Sequence, residues 1–445
     1  MDMTQAKRLA ILAGVRTPQA KAFGALASVS AVELSVCANA AVLSRAQLSA
    51  ASIDEVIMGN VSGPADSANI ARVISLKSSI PHDHIAHTVN RNCASGMEAI
   101  IGAWQAIAMG RSQIVLAGGT ESMSQIPMLV REKTKAKLLT AARAKSWAGR
   151  LSAYARLRLA DLKPVMGVEL GLTDPTCGLN MGQTAEVLAD EFSISRQEQD
   201  AFAVESHRRA TAAAQRGFLS KEITPISTVL PGKGSDAKLV DNDVGPRAGQ
   251  SLEQLAKLRP IFRKDGSVTA GNSCPLTDGA TSLIVCGEKY AAEYSAEHAQ
   301  AASSVKPLGY VSAYAIAGCD PRRMGLGPVF AVAKLLRQTG LKMTDFDLIE
   351  INEAFAVQVL ACLKASASAQ FAQAELGQQQ ALGEINPEIL NVNGGAIALG
   401  HPVGATGARL VLTLLHALQD RGLQRGLATL CVGGGQGFAV VVERE

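Results

Sequence analysis

At 445 residues the chain is long enough for two or three domain-sized units with large cores, and 47% hydrophobic with 4% aromatic content describes an aliphatic, tightly packed protein rather than a disordered one. A net charge of +4 is too mild to imply nucleic acid, and no clustered basic-aromatic pattern of a single-strand binder occurs. Eight cysteines scattered without CxxC pairs or finger spacing favour neither a disulfide framework nor a zinc site, and fit a reducing compartment.

In chain order, Met1 to Lys7 is a short polar lead, and Arg8 to Val15 reads as the first strand, ending in a Thr-Pro turn. That leaves no room for a cleavable signal. No run approaches the ~18 to 20 apolar residues of a membrane span, so the expectation is a soluble, cytoplasmic, bacterial protein. Short apolar runs follow at Glu55 to Gly59, His87 to Val89, Gln113 to Ala117, Ser282 to Cys286, Leu348 to Ile351, Leu390 to Val392 and Ala428 to Cys431. They alternate with small-residue helices, which predicts an α/β sheet buried on both faces. The HDH cluster at His82 to His84 has no companion Cys or carboxylate pattern, so no metal site is expected.

Three segments carry chemistry. After Val89 comes NRNCASGMEAI, and Ser95 to Met109 reads as a helix. Cys93 therefore stands at a helix N-terminus, where unpaired N–H groups and the macrodipole favour thiolate and predict a lowered pKa. A buried structural cysteine is the competing account. His401 lies in a Gly-His-Pro turn within NGGAIALGHPVGATGAR, ahead of a helical stretch from Ala408 to Leu418. Imidazole suits proton transfer at neutral pH, and with a cysteine it makes a nucleophile and its base. Cys431 follows the apolar run Gly426 to Leu430 and precedes three glycines, where a thiol can serve as a second acid/base and the Gly433 N–H can bind an oxyanion.

A faint internal repeat links these segments. HTVNRNC, a helix, a Gly-Arg turn and IVLAGGTES parallel LNVNGGA, GHPVGATG, a helix, an Arg-Gly turn and ATLCVGGGQG. Two copies of one βα unit would bring Cys93 and Cys431 to corresponding ends facing a shared crevice.

With RTP at Arg16 to Pro18, GGTESMS from Gly118, MGQTAE from Met181, TAGNSCPLTDGA from Thr269 and NEAFA from Asn352, the chain resembles a thiolase essentially from end to end. The resemblance implies an α/β thiolase fold: duplicated βα halves in a five-layered αβαβα core with an inserted loop domain. The boundaries expected are 1–124 with 261–290 for the first half, 125–260 for the insertion and 291–445 for the second half. It implies an acyltransferase that cleaves 3-ketoacyl-CoA with CoA to acetyl-CoA and a shortened acyl-CoA, as in fatty-acid β-oxidation. The alternative is an acetyl-CoA acetyltransferase making or cleaving acetoacetyl-CoA. A ketoacyl-synthase-like enzyme and a non-catalytic CoA-binding subunit are more distant readings, and the Cys431 segment argues against the former.

The roles implied are Cys93 as the acylated nucleophile, His401 as base and oxyanion-hole donor, Cys431 as acid/base, Asn352 as holder of an oxyanion-binding water and Gly433 as backbone oxyanion donor. Met181, Ser273, Cys274, Met324 and Phe355 would line the pantetheine and acyl tunnel. Cys274 stands where thiolases usually carry Ser or Thr, a stronger hydrogen-bond partner. Glu353 reads equally as an orienting carboxylate and as a helix cap. Coenzyme A enters as substrate, and no metal or other cofactor is implied.

The insertion concentrates charge: Arg131, Lys133, Lys135, Lys137, Arg143, Lys145, Arg150, Arg156, Arg158 and Lys163, interleaved with Leu and Ala. A solvated amphipathic helix pair explains such a run; CoA phosphates, an acidic lipid surface or a partner subunit are alternatives. Its length, and the Ala-Gln-rich piece between Lys364 and Ile385, resemble the beta subunits of trifunctional β-oxidation complexes, which would bring a hydratase/dehydrogenase alpha subunit. Asn352, where those subunits commonly carry histidine, resembles the other thiolases. A homodimer or dimer of dimers is the expected assembly.

Overall fold

The computed structural model describes residues 8–229, 237–297 and 306–445, and the Met1 to Lys7 lead lies outside the described residues. Five strands form a first half-sheet in the order Ile85–Val89, Glu55–Gly59, Ile114–Glu121, Thr277–Gly287, Leu9–Arg16. The first three are mutually parallel, and Thr277–Gly287 runs antiparallel to both of its neighbours.

The second half repeats this order. Leu348–Ile351 runs parallel to Arg425–Val432, which pairs antiparallel with Gln436–Glu443, which pairs antiparallel with Gly309–Gly318. The parallel bridge Ile349–Leu390 stands where the Ile85–Val89 strand stands in the first half. The half-sheets join where Leu9, Ala10 and Ile11 pair with Val311, Tyr310 and Gly309.

Helices Ser95–Ala108 and Val403–Arg421 pack against each other between the half-sheets. Ala31–Arg45 and Ile70–Lys77 cover the outer face of the first half-sheet; Gly327–Thr339, with Ala356–Ala367 beside it, covers that of the second. This is the five-layered αβαβα order. The inner strands are therefore dry on both faces and read as near-continuous apolar runs such as LIEI and RGLATLCV, while the edge strand Ile85–Val89 stays partly exposed. The largest apolar cluster fills the central layer and holds Met97, Ile100, Leu410, Leu414 and Leu430.

Two glycines set the central crossing. A Cβ on Gly96 would lie 2.6 Å from the Ala408 nitrogen, and one on Gly407 would lie 2.5 Å from the Met97 nitrogen. The helices thus meet backbone to backbone near their N-terminal ends, which brings the residues just ahead of each helix together.

One expected strand is absent. Leu390 to Val392 makes a single bridge because Asn391 takes φ 44° and turns the chain, while its carboxamide accepts from the Ile351 amide and donates to the Ile351 carbonyl, both at 2.9 Å. The side chain does what a continuing strand would have done. The helix expected from Ala408 begins earlier, at Val403, and runs to Arg421.

Within residues 125–260, Glu132–Arg143 and Trp147–Ala155 pack on each other and leave Leu139, Trp147 and Leu151 exposed beside the basic residues. Met181–Glu191 and Arg196–Gln215 instead pack against Ala356–Ala367 of the second half. Among the described residues no helix is long and apolar enough to cross a membrane.

Candidate active site

The ends of the two central helices open into a cavity of about 470 Å³. Cys93, His401, Cys431, Gly433, Cys274, Met181, Met324 and Phe355 all line it, although they come from both halves and the insertion. Asn352 and Ser273 do not. Asn352 is 1% exposed, at the end of Leu348–Ile351, and neither its Oδ1 nor its Nδ2 has a partner among the described residues. Ser273 turns its hydroxyl back to the Thr269 carbonyl.

The counterpart of Cys93 in the second half is His401 rather than Cys431. Cys93 stands two residues ahead of Ser95–Ala108, and His401 two residues ahead of Val403–Arg421. Cys431 lies near the end of Arg425–Val432, the strand that matches Ile114–Glu121, so the expected pairing of the two thiols by the repeat is corrected.

The tautomer of His401 follows from its neighbours. The Thr406 hydroxyl donates to the Pro402 carbonyl at 2.9 Å, so it can only accept from His401 Nδ1, 2.7 Å away. Nδ1 carries the proton, and Nε2 is left as a bare acceptor, buried and without a partner among the described residues. Burial, with Arg409 adding, holds the imidazole down at about 3, so it is neutral at any physiological pH.

The expectation of a low thiol pKa at Cys93 is overturned. Burial pushes it up to about 11, hydrogen bonds from the backbone of Gly433 and of Cys93 itself pull the other way, and the Glu121 carboxylate adds to the rise. Loss of hydration around the sulfur is the largest cause. Burial likewise raises Cys274 to about 12 and lifts Cys431 well above the ordinary range. The resting pair is a neutral thiol and a neutral imidazole.

Two carboxylates brace the loops around the cavity. Glu121 accepts from Asn60 Nδ2 at 3.1 Å, the Val61 amide at 3.0 Å, the Ser62 amide at 3.1 Å, the Ser62 hydroxyl and the Gly404 amide at 3.0 Å. Burial raises its pKa, and these donors oppose the rise. It ties the first-half loop after Glu55–Gly59 to the first turn of the helix behind His401. Glu353 accepts from Ser206 Oγ at 2.6 Å, Asn391 Nδ2 at 2.8 Å and the Ile397 amide at 3.2 Å. It holds the NGGAIA segment that leads to His401, and by accepting from Ile397 in the first turn of Ala396–Leu399 it also caps that short helix.

Sequence reasoning missed Asn92, Glu121 and Thr406. Asn92 and Glu121 line the cavity, and Thr406 touches the histidine ring. Thr406 had a usable signal, since Val403–Arg421 puts it one turn after the Pro402 carbonyl it binds. Among the described residues no group of three His, Cys, Asp or Glu could hold a metal ion.

Residues 9–289 match the family model described as thiolase, N-terminal domain, and residues 305–444 the one described as thiolase, C-terminal domain. The chain is 39% identical over 443 residues to a 3-ketoacyl-CoA thiolase of Yersinia enterocolitica, covering 99% of this chain and 98% of that one. It is 41% identical over 440 residues to an acetyl-CoA acetyltransferase of Escherichia coli, covering 98% and 99%. The Bacillus anthracis acetyl-CoA acetyltransferase structure superposes with a TM-score of 0.84 at 36% identity, covering 98% and 99%. The human mitochondrial 3-ketoacyl-CoA thiolase in complex with CoA does so with a TM-score of 0.81 at 35% identity, covering 99% and 98%.

Proposed function

The chain belongs to the thiolase family of acyltransferases, and from that premise we propose that it cleaves 3-ketoacyl-CoA with CoA through an acyl-Cys93 intermediate, as in fatty-acid β-oxidation. The observation that carries this reading is the bare, buried Nε2 of His401 at the cavity that also holds the Cys93 thiol. A neutral base facing a neutral nucleophile can take its proton as the sulfur attacks, and neither group need be ionised beforehand.

The steps follow from the groups present. Cys93 Sγ attacks carbon 3 of the substrate while its proton passes to His401 Nε2. The oxyanion forms against the backbone N–H groups of Cys93 and Gly433. Collapse breaks the bond between carbons 2 and 3 and leaves the acyl group on Cys93; the departing acetyl-CoA enolate takes a proton from Cys431. His401 and a water held by the unpartnered carboxamide of Asn352 bind the thioester oxygen of that enolate. Cys431 then takes the proton of incoming CoA, whose thiolate attacks the acyl carbon and takes the acyl group, and His401 returns its proton to the departing Cys93 sulfur. Ile126, Val168, Leu170 and Leu172 line the cavity as well and offer apolar wall to an acyl chain longer than acetyl.

The second reading, condensation or cleavage at the acetoacetyl-CoA level, uses the same groups and is favoured by relatives named acetyl-CoA acetyltransferase. Incubation with acetyl-CoA or a 3-ketoacyl-CoA, followed by mass spectrometry of peptides, tests both. An acyl adduct on Cys93 is expected, and an adduct elsewhere or none contradicts the assignment.

We further propose 1–124 with 261–290 as one half, 125–260 as insertion and 291–445 as the other, a homodimer or larger assembly, and a cytoplasmic location. The exposed apolar and basic side chains of 131–163 suit contact with CoA phosphates, an acidic lipid surface or a partner subunit.

A further inference from the structure

The proposed chemistry relies on the Gly433 amide pointing at the Cys93 sulfur, yet the loop that carries it is soft. Gly434 and Gly435 both have positive φ, 89° and 78°, and three successive glycines resist rotation of their peptide planes very little. The strand pair Val432–Gln436 closes its base, and the Cys319 amide donates to the Gly435 carbonyl at 2.8 Å. At Gly433 the tie is Asn92, which comes from the other half of the molecule.

Asn92 lines the cavity, takes φ 44°, and donates from Nδ2 to the Gly433 carbonyl at 2.8 Å. Asparagine tolerates this left-handed conformation better than other residues with a Cβ. Its own position is fixed on several sides. Its amide donates to Asn90 Oδ1 at 2.9 Å, and its carbonyl accepts from the Ser95 amide at 3.0 Å and Ser95 Oγ at 2.7 Å. Next to it, Arg91 grips Glu98 and donates from Nη1 to Gln436 Oε1 at 2.8 Å. The nucleophile turn is thus fastened to both ends of the glycine loop, at Gly433 by Asn92 and at Gln436 by Arg91. The Asn92 bond fixes the Gly433–Gly434 peptide plane, while the Gly433 amide lies in the preceding Val432–Gly433 plane at the end of Arg425–Val432, so Asn92 limits the rotation left to the glycine between the two planes.

We propose that Asn92 is a positioning residue for the reaction: its carboxamide fixes the Gly433–Gly434 peptide plane and so limits rotation at the glycine whose amide faces Cys93 and the oxyanion formed there. This rests on the assignment of Cys93 as nucleophile and Gly433 as oxyanion donor. Asn92 touches neither reacting atom and acts through Gly433.

Two variants separate the carboxamide from the backbone conformation. Asn92→Gly keeps φ 44° accessible and deletes the hydrogen bond; Asn92→Asp keeps the shape but sets an acceptor against the Gly433 carbonyl. Steady-state thiolysis and the pH profile of Cys93 alkylation by iodoacetamide are measured on both, with the thermal midpoint as a folding control. The expected result is a loss of about tenfold in kcat, the scale of one misplaced hydrogen bond, with KM changed less than twofold. The midpoint of the alkylation profile moves to higher pH in both variants, and further in Asn92→Asp. A purely structural role would lower the thermal midpoint and leave the alkylation profile in place. Wild-type kcat and profile in a folded Asn92→Gly or Asn92→Asp protein overturn the proposal. The Cys93→Ala protein separates the two levels: if it still turns over, the site assignment fails; if it is inactive while the Asn92 variants match wild type, only the role of Asn92 fails.

Discussion

Cys93 and His401 are counterparts across the duplication, each standing two residues ahead of one of the two central helices. In the proposed mechanism one repeated position supplies the nucleophile and its copy the base. Both line one cavity because the helices behind them cross with glycine against backbone, so the geometry of the proposed proton transfer depends on the absence of two methyl groups some residues away.

Gly96→Ala is therefore expected to disturb both stability and catalysis. The added Cβ would meet the Ala408 nitrogen at 2.6 Å, backbone that cannot rotate out of the way as a side chain could. Overpacking of this kind costs about 1 to 3 kcal/mol. Thermal unfolding should show the loss and thiolysis a lower kcat; unchanged values for both would mean that the crossing is looser than described.

Thr406 fixes which ring nitrogen of His401 is free. Thr406→Val removes the acceptor for the Nδ1 proton and lets the tautomers mix, so kcat should fall roughly tenfold, in line with one buried hydrogen bond. Thr406→Ser keeps the hydroxyl and should restore most of the rate. Equal rates for the valine and serine variants would remove Thr406 from the account.

The resting thiol should behave as a neutral group. With burial pushing Cys93 up to about 11, its alkylation by iodoacetamide in the free enzyme should climb with pH beyond 9 instead of reaching a plateau near neutrality. A plateau at pH 7 would point to a thiolate-imidazolium pair.

Acid should destabilise the fold through its buried histidines. Burial holds His401 at about 3 and His207 at about 4, whereas in the unfolded chain both titrate near 6.5. Between these values the unfolded state binds more protons, so stability rises with pH through the window. The contribution is complete above about pH 6.5 and is lost progressively as pH falls toward 4. Urea midpoints at pH 7 and pH 5 should differ in that direction, and the difference should shrink in His207→Gln.

The fold and the site differ in how much of them is legible in the sequence. Glu55–Gly59 and Leu348–Ile351 announce themselves because strands covered on both faces need continuous apolar residues. Gly309–Gly318, GYVSAYAIAG, does not, since alanine, serine and glycine dilute the pattern, and its pairing with Gln436–Glu443 on one side and Leu9–Arg16 on the other makes it a strand. The reactive residues are legible because each sits in a glycine-rich segment that serves close approach rather than packing. Their supports are not: Asn92 reaches Gly433, and Glu121 reaches Gly404, only after the halves are assembled. The thiol pKa of Cys93 was beyond reach for a related reason, because helix position is local and desolvation depends on the walls supplied by distant segments.

The most direct test is CoA-dependent cleavage of acetoacetyl-CoA and of 3-ketohexadecanoyl-CoA by the purified protein, side by side, with Cys93→Ala as the blank. The account predicts cleavage of both substrates, or mainly of the long one, and none by the variant. Cleavage of acetoacetyl-CoA alone would move the activity to the acetyl-CoA acetyltransferase reading, and cleavage by Cys93→Ala, or of neither substrate by the wild type, would contradict the account.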